Sequence, residues 1–595
     1  MKASYQERAT NFTAQAERLT RQYNRFSLVR LLVFLAGLLL GIFAWTAFPF
    51  YGGILYTGVF LYLFYRFVQW HQRIQKAAQH LLFLAKINTD EAACLDGEFQ
   101  QFDQGNAFFD AQHPYSLDLD IFGAYSLFQF SNRGNTHWGK ARLAAYYTKP
   151  ADLATIAARQ GAIRELRDQL DWRQNLQAYG LESEEHPEHL QLLEKWLHQT
   201  PFLFGQRWLK YALWILPVFT IGALIYAIPT QAWYVDVALL LPAALLLRRY
   251  VERVNEAHRQ TTHAERALSL YADLIQHIEK ATFSSPLLHR LHAVFGGNAS
   301  RDIRELSYII SQLNVRYNAF AFVLNILGLW DLQWVYRLEK WKARHRDRLP
   351  EWFEAMAEFE ALSSLANLSH NQPDWVFANV SSDTLQLEAI DLGHPLIHPD
   401  KRVCNDLQMP TDGHIKLITG SNMAGKSTLL RTVGLNIVLA MCGAPVCARR
   451  FELPPLLVYT SMRTQDALHE STSSFYAELK RLKVIIEAVE NPPEGVQVFF
   501  LLDEILKGTN SRDRHTGSKA LIEQLIRSQG AGLIATHDLE LGQLESQANG
   551  AIENLCMEVE IREGKLYFDY KLKKGVSASF NATLLMQQMG IRIQA

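Results

Sequence analysis

The sequence predicts an α/β domain near the C-terminal end of the chain and two hairpins of membrane-spanning helices before it. Three short apolar runs with strand character each end in a chemically distinctive group, within residues 415–428, 498–504 and 532–538. Further upstream, four apolar runs approach the length of a membrane span. At 595 residues the chain is also too long for one compact core, so several domains are expected.

Composition sets few limits on function. Hydrophobic residues make up 49% and charged residues 20%, which is ordinary for a globular chain with some membrane content. The formal net charge of −1 gives no global basic signature, so composition neither supports nor excludes a local nucleic-acid patch. The five cysteines are scattered and form no zinc pattern, which suits a reducing compartment. We interpret the neighbouring Cys442 and Cys447 as buried small hydrophobic residues.

The four apolar runs predict two transmembrane hairpins. They cover residues 31–48, 51–65, 211–228 and 232–247. A spanning helix needs about 20 residues, so the second and fourth runs are short and each has to recruit flanking residues. The alternative is a pair of buried hairpins inside a soluble protein. A signal peptide is disfavoured because a long polar stretch precedes Leu31 and a second apolar run follows directly.

Basic residues flank both hairpins, whereas the tight connections within them carry almost no charge. The flanking residues are Arg21, Arg25, Arg30, Arg66, Arg73, Lys76, Arg207, Lys210, Arg248, Arg249 and Arg253. Positive flanks mark the cytoplasmic side, so the large segments are expected in the cytosol and the chain in the inner, cytoplasmic membrane as a multi-pass protein. The spans contain almost no ionisable groups, which favours anchoring over transport.

The strongest chemical signal is a glycine-rich loop between a predicted strand, 415–419, and a predicted helix. The loop has the full G-x-x-x-x-G-K-S pattern and consists of Gly420, Ser421, Asn422, Met423, Ala424, Gly425, Lys426, Ser427 and Thr428. Glycines let backbone N–H groups point at phosphate oxygens, the lysine reaches the β- and γ-phosphates, and the serine can ligate Mg²⁺. The pattern therefore predicts a nucleoside triphosphate site; a chance match in a loop is the alternative.

Two further strand ends supply the other predicted site residues. The apolar run 498–502 ends in Asp503 and Glu504, where the aspartate would hold Mg²⁺ and the glutamate would orient or deprotonate the attacking water. The run 532–536 ends at His537, which we interpret as a sensor of the γ-phosphate, although a lone histidine is usually structural. The predicted catalytic set is Glu504, His537 and Lys426, and the predicted Mg²⁺ ligands are Ser427 and Asp503.

These motifs resemble the ATPase of the MutS family more specifically than P-loop proteins at large. The family's loop reads G-P-N-M-G-G-K-S-T, and residues 420–428 read G-S-N-M-A-G-K-S-T. Its D-E-x-x-x-G-T-S and A-T-H segments are matched by residues 503–510 and 535–537. Its S-T-F-M-x-E segment, which completes the partner subunit's site, is matched by residues 473–478. The resemblance implies an ATP hydrolase that uses Mg²⁺ and works as a homodimer, with Ser473 closing over the partner's γ-phosphate.

The resemblance extends upstream and implies an all-α core domain. Segments within 136–163 resemble the opening of the family's helical core, and residues 357–366 resemble its return helix. No Phe-x-Glu wedge motif precedes the core, and there is no room for the mismatch-binding and connector domains. Mismatch recognition is therefore not supported, while DNA stays a candidate partner.

The predicted organisation has seven parts. They are an N-terminal cytosolic helix (1–28), a first transmembrane hairpin (29–68), a helical connector (69–115), the first part of the MutS-like helical core (116–207), a second transmembrane hairpin (208–248), the second part of the core or lever (249–385) and the MutS-like P-loop ATPase domain (386–595). The fold class is thus an ABC-type α/β P-loop ATPase domain with an all-α core domain and two transmembrane helical hairpins. ATP hydrolysis in a dimer is expected to move the helical core.

Two other functional classes stay open. An ABC transporter shares the P-loop and the acidic strand end, but an L-S-G-G-Q-like signature and additional spans are not visible. A DNA-binding or mismatch-repair-related protein tethered to the membrane is favoured by one basic run. That run contains Lys340, Lys342, Arg344, His345, Arg346 and Arg348. Such a run is more often a solvated helix face.

Overall fold

The chain folds into a mostly helical N-terminal region and a mixed α/β C-terminal domain. The computed structural model describes residues 1–48, 50–182, 187–230, 233–318, 321–421, 423–463, 474–562 and 565–577. The elements before Val376 in these ranges are helices, and the strands of the α/β domain follow. The predicted α/β character of the C-terminal part is confirmed.

Two long helices, α1 (Lys2–Ala47) and α2 (Phe50–Cys94), lie against each other along much of their length. Small residues allow the close approach, because a Cβ on Gly37 would overlap the ring of Phe60. The Tyr56 hydroxyl also donates to the Gly37 carbonyl oxygen at 2.7 Å. Both helices continue well past the apolar runs, across the predicted boundaries at 28 and 68, because the polar sequence there contains no glycine or proline to end a helix.

The helical middle of the chain is built from thirteen shorter helices in the described residues. They are α3 (Leu127–Ser131), α4 (His137–Thr148), α5 (Leu153–Arg167), α6 (Leu170–Gly180), α7 (Pro187–His198), α8 (Arg207–Thr230), α9 (Trp233–Thr261), α10 (Glu265–Glu279), α11 (Pro286–Val294), α12 (Ala299–Asn314), α13 (Ala321–Gly328), α14 (Trp330–His345) and α15 (Arg348–Asn371). The central helix is α15, which buries most of its residues and packs against α4, α5 and α11.

Two helices in the described part of the chain are long and apolar enough to cross a membrane, judged by length and composition. They are α1 and the Arg207–Ala227 part of α8. Only 6% of the apolar window of α1 is buried, compared with 28% in α8. Of the four spans expected from sequence, the described residues therefore support two as candidates. The second run, 51–65, contains four tyrosines and three glycines, which lower its hydropathy. The fourth run, 232–247, begins outside the described residues.

The basic run 340–348 does not form one continuous solvated face. Lys342 is only 4% exposed, and its ammonium group donates to the carbonyl oxygens of Trp196 at 3.0 Å and Gln199 at 3.1 Å. These carbonyls lie at the C-terminal end of α7, where they have no partner within the helix. A cation there donates hydrogen bonds to them and interacts favourably with the negative end of the helix dipole. Lys342 is thus a helix cap inside the fold and is not available to a phosphate backbone.

A buried polar network joins the α1–α2 pair to α15. Glu91, near the end of α2, pairs with Arg133 and accepts from the side-chain amides of Asn367 at 2.9 Å and Asn371 at 2.7 Å. The Tyr5 hydroxyl of α1 donates to Asn371 at 2.7 Å. Burial alone disfavours a charged Glu91, but Arg133 and the amides hold its pKa below the usual value. Both long helices are therefore fixed to the core at the end remote from their connection.

The α/β domain contains twelve strands and four helices in the described residues. They are β1 (Val376–Phe377), β2 (Asn379–Val380), β3 (Gln386–Leu392), β4 (Asn405–Pro410), β5 (Ile415–Gly420), α16 (Lys426–Cys442), β6 (Pro445–Val446), β7 (Arg450–Leu453), β8 (Leu456–Ser461), α17 (Ser474–Glu490), β9 (Gln497–Asp503), α18 (Ser511–Arg527), β10 (Ala531–Thr536), α19 (Leu544–Gln547), β11 (Ile552–Arg562) and β12 (Lys565–Lys574). The three strands predicted from sequence are β5, β9 and β10.

The main sheet has the strand order β12-β11-β5-β10-β9-β8. Its strands from β11 to β8 are parallel, and β12 pairs antiparallel with β11. Every residue of β5 and β10 is buried, as expected for central strands covered on both faces. A second sheet has the order β2-β7-β3-β4, and β1 pairs with β6.

Two aspartates in the segment before α3 tie the helical region to the α/β domain. Asp118 accepts from the Thr460 hydroxyl at 2.7 Å and from the Arg463 backbone N–H at 3.0 Å. Asp120 forms ion pairs with Arg431 of α16 at 3.1 Å and with Arg463 at 2.8 Å. This segment therefore contacts the helix that begins at the glycine-rich loop.

Candidate functional site

Three neighbouring parallel strands bring the predicted site residues to one edge of the main sheet. β10 lies between β5 and β9, and the register pairs Thr536 with Thr419 and Ala535 with Asp503. Because the carboxyl ends of parallel strands lie at the same edge, the groups that follow these strands meet there. The glycine-rich loop, the acidic pair and His537 are consequently neighbours.

The glycine-rich loop needs glycine at both ends. Gly420 has a φ of +147°, and a Cβ there would overlap the Met557 carbonyl oxygen of β11. Gly425 has a φ of +98°, and a Cβ would lie 3.0 Å from the ring of Tyr570. Between them, Ala424 is buried without a positive φ, so its methyl group is tolerated where the family often has glycine. Of the remaining predicted loop residues, Met423 is exposed and Asn422 lies outside the described residues.

Lys426 is the first residue of α16 and is only 2% exposed. Its ammonium group donates to the carbonyl oxygens of Gly420 at 2.7 Å and Ser421 at 3.0 Å, and it lies 3.5 Å from Nδ1 of His537. Burial lowers the pKa of Lys426 to about 8, although Glu504 and Asp503 oppose that effect. The side chain therefore folds back over the loop, at the position where it can meet phosphate oxygens.

Ser427 and Asp503 form the pair predicted to hold Mg²⁺. The Ser427 hydroxyl donates to Oδ2 of Asp503. The other carboxylate oxygen, Oδ1, is buried and has no hydrogen-bond partner among the described residues. Mg²⁺ is a hard cation that prefers carboxylate and hydroxyl oxygens as ligands. A buried carboxylate oxygen without a hydrogen-bond partner, next to a serine hydroxyl, suits a bound cation of this kind. Thr428, the next residue, is exposed on the outer face of the helix.

Glu504 and His537 form an ion pair across the ends of β9 and β10. Lys507 lies 3.1 Å from the second carboxylate oxygen of Glu504. The hydrogen bond with His537 and then the Lys507 ammonium lower the pKa of Glu504 to about 2, against the effect of burial. Glu504 also has a φ of +51°, and its N–H donates to the Ala535 carbonyl oxygen at 2.9 Å. Strained positive-φ residues of this kind cluster at functional sites.

A buried glutamate that was not among the predicted site residues shapes the loop after Glu504. Glu478 of α17 is 8% exposed and accepts from the backbone N–H of Leu506, which itself has a φ of +61°. Its other oxygen is buried without a hydrogen-bond partner in the described part of the chain, and burial raises the pKa of Glu478. Phe475 packs over Gly508 of the same loop. In the sequence, Glu478 could have been found as the last residue of the 473–478 segment. The first residue of that segment, Ser473, lies outside the described residues.

Comparison with known protein families places this edge of the sheet inside a matched domain. Residues 416–587 match the family model described as MutS domain V. This range begins in β5 and includes the loop from Gly420 onward, the acidic pair, Glu478 and His537. The site residues are therefore all drawn from the matched part of the chain.

Curated relatives match the same part. The DNA mismatch repair protein MutS of Bacillus licheniformis is 32% identical over 237 residues, 39% of this chain and 26% of the relative. MutS of Thermotoga maritima is 31% identical over 239 residues, 39% of this chain and 29% of the relative. The DNA mismatch repair protein MSH3 of Phaeosphaeria nodorum is 30% identical over 240 residues, 38% of this chain and 21% of the relative.

The chain thus spans only between a fifth and a third of the length of these relatives. The aligned stretches make up 38–39% of this chain. Within the matched domain, the family model and several relatives at about 30% identity agree. The C-terminal part of this chain, over residues 416–587, therefore resembles domain V of the MutS family.

Proposed function

We propose that the chain is a membrane-anchored ATPase of the MutS type, which binds and hydrolyses ATP in a dimer and uses the reaction to move its helical region. The observation that carries this proposal is the meeting of Lys426, the Ser427–Asp503 pair and the Glu504–His537 pair at the ends of three adjacent parallel strands. This set contains the phosphate-binding, cation-binding and water-orienting groups that phosphoryl transfer to water requires.

The loop and Lys426 bind the triphosphate in this proposal. Backbone N–H groups between Gly420 and Gly425, together with the N-terminus of α16, provide positive potential for phosphate oxygens. The Lys426 ammonium exchanges its carbonyl partners for the β- and γ-phosphates. Ser427 and Asp503 hold Mg²⁺, which neutralises charge on the phosphates when bound.

Glu504 orients the attacking water. A carboxylate with a pKa of about 2 is a weak base at neutral pH, so its main contribution is to accept a hydrogen bond from the water and fix its direction. His537 lies between Glu504 and Lys426, which places its ring beside the expected γ-phosphate. Its ring nitrogens can then respond to the presence of that phosphate.

The 473–478 segment connects two sites in the proposed dimer. If Ser473 closes over the partner's γ-phosphate, the same short segment carries Phe475 and Glu478, which contact the chain's own loop after Glu504. Contact of this segment with the partner's nucleotide would then change the position of Glu504. From α16, movement would pass through Asp120 to the helical region and through the Glu91 network to α1 and α2.

Membrane anchoring is part of the same proposal. α1 and α8 are the two candidate spans, and each is followed by a helix that packs against it, α2 and α9. With basic residues at the ends of both pairs, the helical core and the ATPase domain lie on the cytosolic side of the cytoplasmic membrane. This proposal keeps the domain boundaries expected from sequence, although α1 and α2 are each one continuous helix.

DNA is the second candidate partner, because the relatives are DNA mismatch repair proteins. The basic run in α14 offers little support, since Lys342 is buried as a helix cap. Retention of duplex DNA that falls steeply with salt would support this second candidate, because phosphate contacts release counterions.

Magnesium-dependent phosphate release by the purified, detergent-solubilised chain tests the proposed activity. We expect steady release of phosphate from ATP with Mg²⁺ and none with excess chelator. No release above the protein-free rate in either condition, over a range of protein concentrations that favours the dimer, would contradict it.

ATP affinity is expected to fall as the pH rises through 8. Lys426 has a lowered pKa of about 8 in the free protein, so above that pH it has to take up a proton before it can bind phosphate as a cation. Linkage then predicts roughly an eightfold weaker affinity at pH 9 than at pH 7.5, with proton uptake on binding. Calorimetric titration in two buffers of different ionisation enthalpy measures the affinity and the number of protons taken up. Lys426→Arg is the control, because a guanidinium stays charged and removes this pH dependence.

Replacing Glu478 with alanine is expected to lower turnover roughly tenfold while leaving ATP binding nearly unchanged. The variant loses the hydrogen bond that the Leu506 N–H donates to the Glu478 carboxylate, an interaction worth about 1.5–3 kcal/mol. Separate measurement of kcat and KM distinguishes this effect from a loss of binding. Glu478→Gln keeps an acceptor oxygen and is expected to retain turnover; unchanged turnover in the alanine variant would show that Glu478 does not position Glu504.

A further inference from the structure

Over most of their length, α1 and α2 carry basic side chains and no acidic ones. Between Glu17 and Asp90 the sequence has no acidic residue. The same stretch contains eight basic residues: Arg18, Arg21, Arg25, Arg30, Arg66, Arg73, Lys76 and Lys86. All of them lie on the polar extensions of the two helices, outside the apolar runs. Electrostatic attraction to an anionic surface is the general consequence.

A groove lies where the polar and apolar parts of α1 meet. It has a volume of about 570 Å³. One part of its lining is polar and includes Asn24, Ser27 and Arg30; the other is apolar and includes Leu31, Phe34 and the Phe64 ring of α2. The residues of α1 recur at intervals of three and four, so they lie along one helix face.

Ring contacts hold the two helices together next to this groove. Tyr23 stacks on His71 with ring centroids 4.0 Å apart, and Phe26 meets Trp70 edge-on at 4.6 Å. On the apolar side, the rings of Phe34 and Phe64 are 5.5 Å apart. The groove is therefore formed by packed side chains, and its size falls in the range of small-molecule sites, about 300–1,000 Å³. Tyrosine and tryptophan side chains such as Tyr23 and Trp70 are typical of the membrane–water boundary.

We propose that this groove binds one anionic phospholipid, with its phosphate against Arg30 and an acyl chain along Leu31, Phe34 and Phe64. Arg30 forms no ion pair with a carboxylate in the described residues, and Asn24 and Ser27 can donate further hydrogen bonds to phosphate oxygens. The apolar half of the lining selects a lipid over free phosphate. The inference rests on the membrane anchoring in the proposed function and adds a specific lipid class to it.

Native mass spectrometry of the detergent-solubilised full chain tests the site. With equal amounts of phosphatidylglycerol and phosphatidylcholine, we expect one phosphatidylglycerol to be retained in preference. One basic residue near a membrane surface contributes about 1 kcal/mol, so Arg30→Gln is expected to lower this preference about fivefold. Arg66→Gln removes the same charge from α2 outside the groove lining and is the matched control, with the preference retained. Melting temperatures confirm that both variants are folded.

Three results would overturn the lipid site. They are no preference for phosphatidylglycerol, an equal loss of preference in both variants, and full displacement of the lipid by millimolar inorganic phosphate. Alkaline carbonate extraction of membranes separates this inference from the broader proposal. A chain released by carbonate is not anchored, and the proposed function fails with the site. A chain that stays embedded but shows one of the three results loses only the lipid site.

Discussion

Replacing Lys426 with alanine is expected to lower ATP turnover about 100- to 1,000-fold, the usual effect of removing a group that stabilises developing charge in a transition state. The ammonium group is buried at the mouth of the loop, 3.5 Å from His537, and it is the cation placed to meet the β- and γ-phosphates. ATP affinity should fall as well. Phosphate release and equilibrium ATP binding by the purified full chain measure the two effects.

The fold of this variant is expected to survive, because the buried ammonium is disfavoured by desolvation and its loss removes that cost. Lys483→Ala is the matched control, since Lys483 lies on α17 of the same domain and its side chain is 74% exposed. Its turnover should match that of the unmodified chain. Turnover in Lys426→Ala equal to that of this control would contradict the assignment of the loop.

Replacing Glu504 with glutamine is expected to separate binding from hydrolysis. The substitution removes the carboxylate that pairs with His537 and Lys507 but leaves Lys426, Ser427 and Asp503 in place. Turnover should fall roughly hundredfold or more, within the range for groups that act on a reacting water. ATP should be retained on the protein with Mg²⁺, and single-turnover measurements should show a slowed chemical step.

Glu523→Gln is the control for this change, because Glu523 lies on α18 and is half exposed. Loss of ATP binding in Glu504→Gln, with an unchanged melting temperature, would mean that Glu504 serves the nucleotide and not the water. Unchanged turnover would remove Glu504 from the reaction. The trapped, ATP-bound form is also suited to identifying partners of the moving helical region.

The strands and the loop of the candidate site could be predicted from local sequence. The strands β5, β9 and β10 are short apolar runs that end in a glycine-rich loop, an acidic pair and a histidine respectively, and these features are visible along the chain. The glycines at 420 and 425 are explained by backbone geometry, which the motif encodes directly. The meeting of the three strand ends is observed in the register of the sheet.

Other features depend on contacts between distant segments and could not be predicted. The role of Glu478 follows from a contact with Leu506, 28 residues away, in a loop whose shape the sequence does not reveal. Lys342 is indistinguishable in sequence from its solvated neighbours, and only the position of α7 makes it a cap.

Equilibrium binding of ATP to the purified full chain, with Mg²⁺ and with excess chelator, tests most directly whether the three strand ends form one nucleotide site. We predict one ATP bound per chain, with an affinity that depends on Mg²⁺ through Ser427 and Asp503 and is lost in Lys426→Ala. A folded chain that retains no adenine nucleotide in the presence of Mg²⁺ would contradict this prediction.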